Sequence, residues 1–208
     1  MNMQDTNHIS DYKKGLRARI IEAAMNAFRE RGIRSVTMDD VAAELGISKR
    51  TLYEIFDKKE DLLFEGVKEM HETRTARMEV KLAHCENVME IILAVYKIKV
   101  EDFRRTNPLF YADMVKYPQV GRYLAQQNQL MSSKTKQFIE RGVEEGYFRS
   151  DVNYELVGRL FDALGKYVVE SRLYQQYSIE DIFHGLIFVS LRGMCTEQGV
   201  RVLDSQIG

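Results

Sequence analysis

The 208-residue sequence predicts an all-α protein of about nine helices, a small three-helix module followed by a larger helical body. Three observations lead there. Apolar residues recur at three- and four-residue spacing along most of the chain, and no segment shows the alternation of a half-buried strand. Only two prolines occur, Pro108 and Pro118, and each stands where a helix can begin. With 45% hydrophobic and 29% charged residues, the composition is that of an ordered globular chain with little linker.

The first helix, about four turns long, is marked by Leu16, Ile20, Ala24, Ala27 and Phe28, with Gly32 in its C-cap region. Thr37 then stands as an N-cap with Asp40 three residues on, and the short second helix stops at Gly46. Ser48 caps a third helix that ends near Phe56, and Asp57 and Glu60 open a fourth that carries Leu63, Val67 and Met70 towards Leu82. Helices of two turns do not persist alone in water. The first three must therefore pack together, around Phe28, Val41, Leu45, Ile47, Leu52 and Phe56. Further helices are expected near 87–105, 108–116, 119–145, 153–176 and 179–198, with the residues from Gly199 loosely ordered.

The last two helices are apolar on more than one face. Leu156, Leu160, Ala163 and Tyr167 run beside a second stripe of Val157, Phe161, Leu164 and Val168, and the final helix carries Ile182, Leu186, Val189 and Gly193 beside Phe183, Ile187 and Met194. Such helices need cover on both sides, from a partner copy or from a deep core of the same chain. Two-fold pairing into a homodimer is the favoured reading, because two-fold dimers are the commonest assemblies.

The formal net charge of −1 gives no global sign of nucleic-acid binding. Residues 13–50, however, hold nine Lys or Arg against five Asp or Glu, a basic end on an otherwise acidic chain. In that segment Ala42 and Gly46 are spaced as a helix-turn-helix requires, a small residue where two helices cross and a glycine at the sharp turn. The third helix divides accordingly. Leu52 and Phe56 face the core, and Lys49, Arg50, Thr51 and Tyr53 face outward with the cationic and hydrogen-bonding groups that base edges and phosphates need.

Residues 32–63, GIRSVTMDDVAAELGISKRTLYEIFDKKEDLL, resemble the DNA-binding signature of TetR-family regulators. The likeness rests on Gly32-Ile33, Val36-Thr37, Val41-Ala42, Leu45 to Ser48, Thr51-Leu52-Tyr53, Phe56 and Lys59-Glu60 through Leu62. It covers, with the preceding helix, about a quarter of the chain; residues 146–153, GYFRSDVN, add a family-like turn. The resemblance implies a helix-turn-helix DNA-binding domain over 1–58 and an effector-binding and dimerisation domain over 59–208. It also implies that Thr37 and Tyr53 meet phosphates, that Lys49, Arg50 and Thr51, with Ser48 at the helix start, face the groove, and that Lys58 and Lys59 meet the backbone. That last placement agrees with the free N–H groups at a helix N-terminus. Lys13, Lys14 and Arg17 are either further backbone contacts or solvated charges, and Ile55 either touches a thymine methyl or packs.

The implied partners are a double-stranded, palindromic operator, a second copy of the chain and an unidentified small-molecule effector. Activation and repression both remain open, repression being the family's commoner mode. Candidate effector-pocket walls are Phe103, Phe110, Tyr111, Met114, Tyr117, Tyr123, Met131, Phe161, Tyr167 and Tyr174, aromatic and apolar surfaces with hydroxyl handles. The alternative is a sensor that acts through another protein, which predicts a damaged recognition helix.

No enzyme is expected. His71 and His84 are too far apart to share a helical turn, His84-Cys85-Glu86 are consecutive, and no P-loop, GxSxG or HExxH occurs, so no catalytic residue, metal or cofactor is assigned. The widely spaced Cys85 and Cys195 fit reduced structural cysteines. No stretch approaches the roughly 20 apolar residues of a membrane span and the first residues lack a signal-peptide core, so no membrane association and a cytoplasmic location are expected.

Overall fold

The computed structural model describes the backbone of residues 3–130 and 132–207 and the side chains of residues 12–127, 129 and 133–206. Met131, one of the expected pocket residues, lies outside them. The described residues are all-α apart from one isolated antiparallel bridge, Phe148 to Cys195. They form two compact units, one of residues 1–75 and 105–122 and the other of residues 76–104 and 123–208. The first unit is thus larger than the segment 1–58 assigned to DNA binding.

The first unit begins with α1 (Met3–Arg31). It exceeds the four turns expected from its apolar stripe, and no proline interrupts it. Leu16, Ile20, Ile21, Ala24 and Phe28 are all buried along one side. Next come α2 (Met38–Glu44), α3 (Lys49–Tyr53) and α4 (Lys59–Leu82). Val41, Ala42, Leu52, Phe56, Leu62, Leu63 and Val67 complete the core. Leu45 and Ile47, expected in it, are only half-buried, since they flank the turn rather than the helix crossing. No residue of α4 after Val67 is buried.

Two short helices bracket the second part of this unit, α6 (Pro108–Met114) and the start of α7 (Pro118–Leu130), after α5 (Val88–Arg104) in the chain. Asn107 ties α6 to the end of α1. Its N–H donates to the Arg29 carbonyl at 2.6 Å and its side-chain amide to that of Glu30 at 3.1 Å, while its Oδ1 accepts from the Leu109 amide at 3.0 Å. Carbonyls at a helix C-terminus have no partner within their own helix, so these bonds cap α1 from a segment far along the chain.

The second unit is built on Val88, Met89, Phe148, Phe188, Met194, Cys195 and Leu203, with Phe138, Val157, Phe161 and Phe183 packed around them. Where one helix was expected over 119–145, the structure describes α7 and α8 (Ser132–Glu144) on either side of Met131. The chain then turns at Gly146 into α9 (Tyr154–Glu170). This helix ends before the expected residue 176, as Ser171 closes it and Arg172 adopts a left-handed φ of 54°.

The next rod runs from α10 (Ile179–Ile182) through a π-helical turn (Phe183–Phe188) into α11 (Val189–Met194). It stops four residues short of the expected end, because Cys195 turns extended to pair with Phe148. Beyond it the expectation of loose order is wrong: residues Glu197–Ile207 form α12. Thr196 starts this helix by accepting from the Gly199 amide at 3.2 Å while its hydroxyl donates to the Gly146 carbonyl at 2.7 Å, and Leu203 plugs the core at 0% exposure.

Candidate nucleic-acid interface

The turn between α2 and α3 follows from its sequence. Thr37 Oγ1 accepts from the Asp40 amide at 3.1 Å, and the Asp40 carboxylate accepts from the Thr37 amide at 2.8 Å, a reciprocal cap that holds the start of α2. These bonds keep the Asp40 carboxyl below its ordinary pKa, the Thr37 amide being the main cause. At the other end Gly46 has φ +64°, and two bonds close the helix, Gly46 N–H to the Ala43 carbonyl at 3.1 Å and Ile47 N–H to that of Ala42 at 3.0 Å. This is the double bond pattern of a Schellman cap, which needs a left-handed residue at its centre. Ser48 then caps α3 by accepting from the Thr51 amide at 3.1 Å.

Burial divides α3 as its sequence does. Leu52 and Phe56 are 0% and 4% exposed, whereas Lys49, Arg50 and Tyr53 are exposed and Thr51 and Ile55 half-exposed. A surface helix with a dry face that fixes it and a solvent-exposed face bearing cations and hydroxyls is suited to the major groove. Thr37, Ser48, Lys58 and Lys14 are also exposed.

Four of the expected cationic contact residues are engaged within the chain, Lys49 with Asp39, Arg50 with Glu54, and Lys59 and Arg17 as follows. The Lys59 ammonium turns inward, donating to the Ile33 and Val36 carbonyls at 2.5 Å each and lying 5.6 Å from the Phe28 ring centroid. Burial lowers its pKa from the ordinary lysine value. Its side chain is therefore a staple between α4 and the loop after α1 rather than a free cation at the helix start. Arg17 lies over the Phe56 ring at 4.9 Å and pairs with Glu65 at 3.2 Å, keeping part of its guanidinium at the surface.

The family of bacterial regulatory proteins described as tetR matches residues 20–65, from the buried half of α1 through α2 and α3 into α4. The chain belongs to the TetR family. Similar proteins include the HTH-type transcriptional repressor KstR2 of Mycobacterium tuberculosis H37Rv, 27% identical over 149 residues that cover 69% of this chain and 74% of the relative. The uncharacterized HTH-type transcriptional regulator YhgD of Bacillus subtilis 168 is 30% identical over 132 residues, 61% of this chain and 66% of that one. Among solved structures, a transcriptional regulator of Saccharomonospora viridis in complex with choline matches with TM-score 0.70 at 20% identity, covering 88% of this chain and 100% of its own. The structure of KstR2 of Mycobacterium tuberculosis matches with TM-score 0.61 at 23% identity, covering 87% and 95%. These likenesses establish the fold, and membership establishes a DNA-binding transcriptional regulator.

In this TetR-family chain the expected effector-pocket residues divide between the two units. Phe110, Tyr111, Met114 and Tyr117 lie in the first, where Phe110 and Met114 are 0% and 8% exposed and Tyr111 meets Phe110 edge-on at 5.5 Å. Phe103, Tyr123, Phe161, Tyr167 and Tyr174 lie in the second. There Phe161 packs on the core, Tyr167 is exposed, and Tyr174 faces Phe103 at 6.5 Å with its hydroxyl buried and without a hydrogen-bond partner among the described residues.

Of the residues assigned to the dimer interface, Leu156, Leu160, Ala163, Tyr167, Val189 and Gly193 are exposed and Leu186 is half-buried. Ile182 differs: at 5% exposure it packs inside its own unit, because the π-turn that follows rotates the faces of the rod. Sequence reasoning also passed over the carboxylates of this region. Asp39 pairs with Lys49, Glu54 with Arg50, and the 7%-exposed Asp113 with Arg34 and Lys116. The i, i+4 spacing of Arg50 and Glu54 and the i, i+3 spacing of Asp113 and Lys116 were the available signals.

Proposed function

We propose that the chain is a cytoplasmic, dimeric repressor that leaves a palindromic operator when a small molecule binds. The observation that carries the reading is the two-faced α3, whose core side fixes Lys49, Arg50, Thr51 and Tyr53 as a group pointing away from the protein. Ser48, Thr37, Lys58, Lys14 and Arg17 extend the contact to the phosphate backbone, and Lys59 contributes through the N-terminus of α4 rather than through its ammonium. Repression is supported by the name of the KstR2 relative, and a small-molecule effector by the choline complex of the Saccharomonospora viridis regulator. Among the described residues no helix is long and apolar enough to cross a membrane.

The dimer rests on α9 and α11. No residue of α9 is buried, although Leu156, Leu160, Ala163 and Tyr167 form a continuous apolar stripe with Val189 and Gly193 on the neighbouring rod. A second copy related by a two-fold axis would cover this stripe with the same stripe. The paired recognition helices would then reach successive major grooves about 34–36 Å apart, which makes the operator palindromic. The effector is assigned to the second unit, where the buried Tyr174 hydroxyl lacks a partner among the described residues and Phe103, Tyr96 and Phe183 supply aromatic surface.

Selection from random double-stranded DNA tests the reading without knowledge of the effector. An enriched inverted repeat, bound by two copies with affinity that falls as salt rises, is the expected outcome. Failure to enrich any sequence favours a sensor that acts through another protein.

A further inference from the structure

Asp39 has no part in the cap of α2, which Asp40 completes. Its carboxylate crosses instead to α3 and pairs with the Lys49 ammonium at 2.5 Å, between side chains 51% and 67% exposed. At the next residue, Arg50 Nε donates to Glu54 at 3.0 Å. Both cations of α3 therefore carry a carboxylate partner in the free protein, and the outward side of this helix is close to self-neutral despite the basic count of its segment.

An exposed pair of this kind adds at most about 1 kcal/mol to folding, so stability alone is a weak account of it. Its consequence for DNA is larger. Binding to arbitrary sequence depends on cations replacing condensed counterions on phosphates, one ion per phosphate neutralised. A lysine already neutralised by a neighbouring carboxylate releases no counterion until that carboxylate lets go, and the freed carboxylate then faces a polyanion.

We propose that Asp39 is a selectivity residue, which holds Lys49 and so limits the affinity of this regulator for DNA of arbitrary sequence. The inference rests on the assignment of Lys49 to the DNA-facing surface. Asp39 acts through Lys49, and its pairing also holds the ammonium more firmly protonated than an ordinary lysine. Base-specific contacts made by the rest of α3 do not depend on this brake, so its effect falls chiefly on non-cognate sites.

The test uses the full chain and a 30-base-pair duplex of random sequence, with affinity measured by fluorescence anisotropy across a salt series for wild type, Asp39→Asn, Lys49→Met and the double variant. Asp39→Asn is expected to bind about two- to fivefold more tightly, the fold-change equivalent to an exposed ion pair. Its salt dependence should steepen by about 0.9 in log–log slope, the share of one further phosphate. Both changes should vanish in the Lys49→Met background, with melting temperatures of the single variants close to wild type. An Asp39→Asn protein with unchanged affinity and slope overturns the proposal. So does a gain that persists without Lys49, which makes Asp39 a simple repulsive charge. A wild-type protein with no salt-dependent affinity for the duplex fails at the earlier step, the DNA-binding surface itself.

Discussion

Lys59 shows how a residue's neighbours decide its role. From sequence it is a cation at the start of a helix, but its acceptors, the carbonyls of Ile33 and Val36, lie 26 and 23 residues back and only the fold brings them near. Lys59→Met should therefore lower stability by about 1–3 kcal/mol, as two carbonyls lose a charged donor, and leave the salt slope of DNA binding unchanged. Urea denaturation beside a salt titration separates the two effects. Cys195 titrates abnormally for a related reason: burial raises its thiol pKa from 9.0 to about 11. Between those values the unfolded chain loses the proton and the folded chain keeps it, so stability falls as pH rises from 9 to 11, by about 2–3 kcal/mol from this group. Comparison of urea midpoints at pH 8 and pH 11 should show a larger fall in wild type than in Cys195→Ala.

At the scale of elements, the parts legible in the sequence are those whose cause is local. The α2–α3 turn is specified by Thr37, Asp40, Gly46 and Ser48 within twelve residues, and the structure has each in its expected role. Gly46→Ala should cost about 1–2 kcal/mol in chemical denaturation, because its φ of +64° is unfavourable for a side chain, although nothing lies within 4 Å of an added Cβ. Gly46→Asn should retain most of the stability, since asparagine tolerates that backbone region; equal losses for both would place the constraint in space rather than in the backbone. The start of α12 was not legible, because its reason is tertiary: Thr196 bonds to the Gly146 carbonyl 50 residues earlier. The π-turn at 183–188 likewise left no mark in the apolar periodicity, and with it went the placement of Ile182.

For the whole molecule, the fold class and the family could be read in advance because the apolar period and the helix-turn-helix signature are properties of sequence alone. The division into units could not, since residues 105–122 return to the first unit after α5 has entered the second. Assembly is the property that point mutation tests most directly. Leu160, 47% exposed at the middle of the α9 stripe, would be repeated across a two-fold axis. Leu160→Glu should weaken dimerisation about hundredfold or more, each copy losing the burial of one leucine. Light scattering coupled to size exclusion would then report a mass near the 24.2 kDa of one chain, while a dimer mass retained on dilution would move the interface elsewhere.

The seating of Leu203 at the centre of the second unit has a consequence for synthesis. Every residue of the first unit has been polymerised by position 122, so the reading head can mature while translation continues. The other unit lacks its plug until α12 has cleared the ribosomal tunnel, and until then the cluster of Val88, Met89, Phe148 and Phe188 is incomplete. A premature stop just before α12 would thus release a chain with a competent head and an open body, a candidate for chaperone capture and proteolysis rather than a weakened regulator.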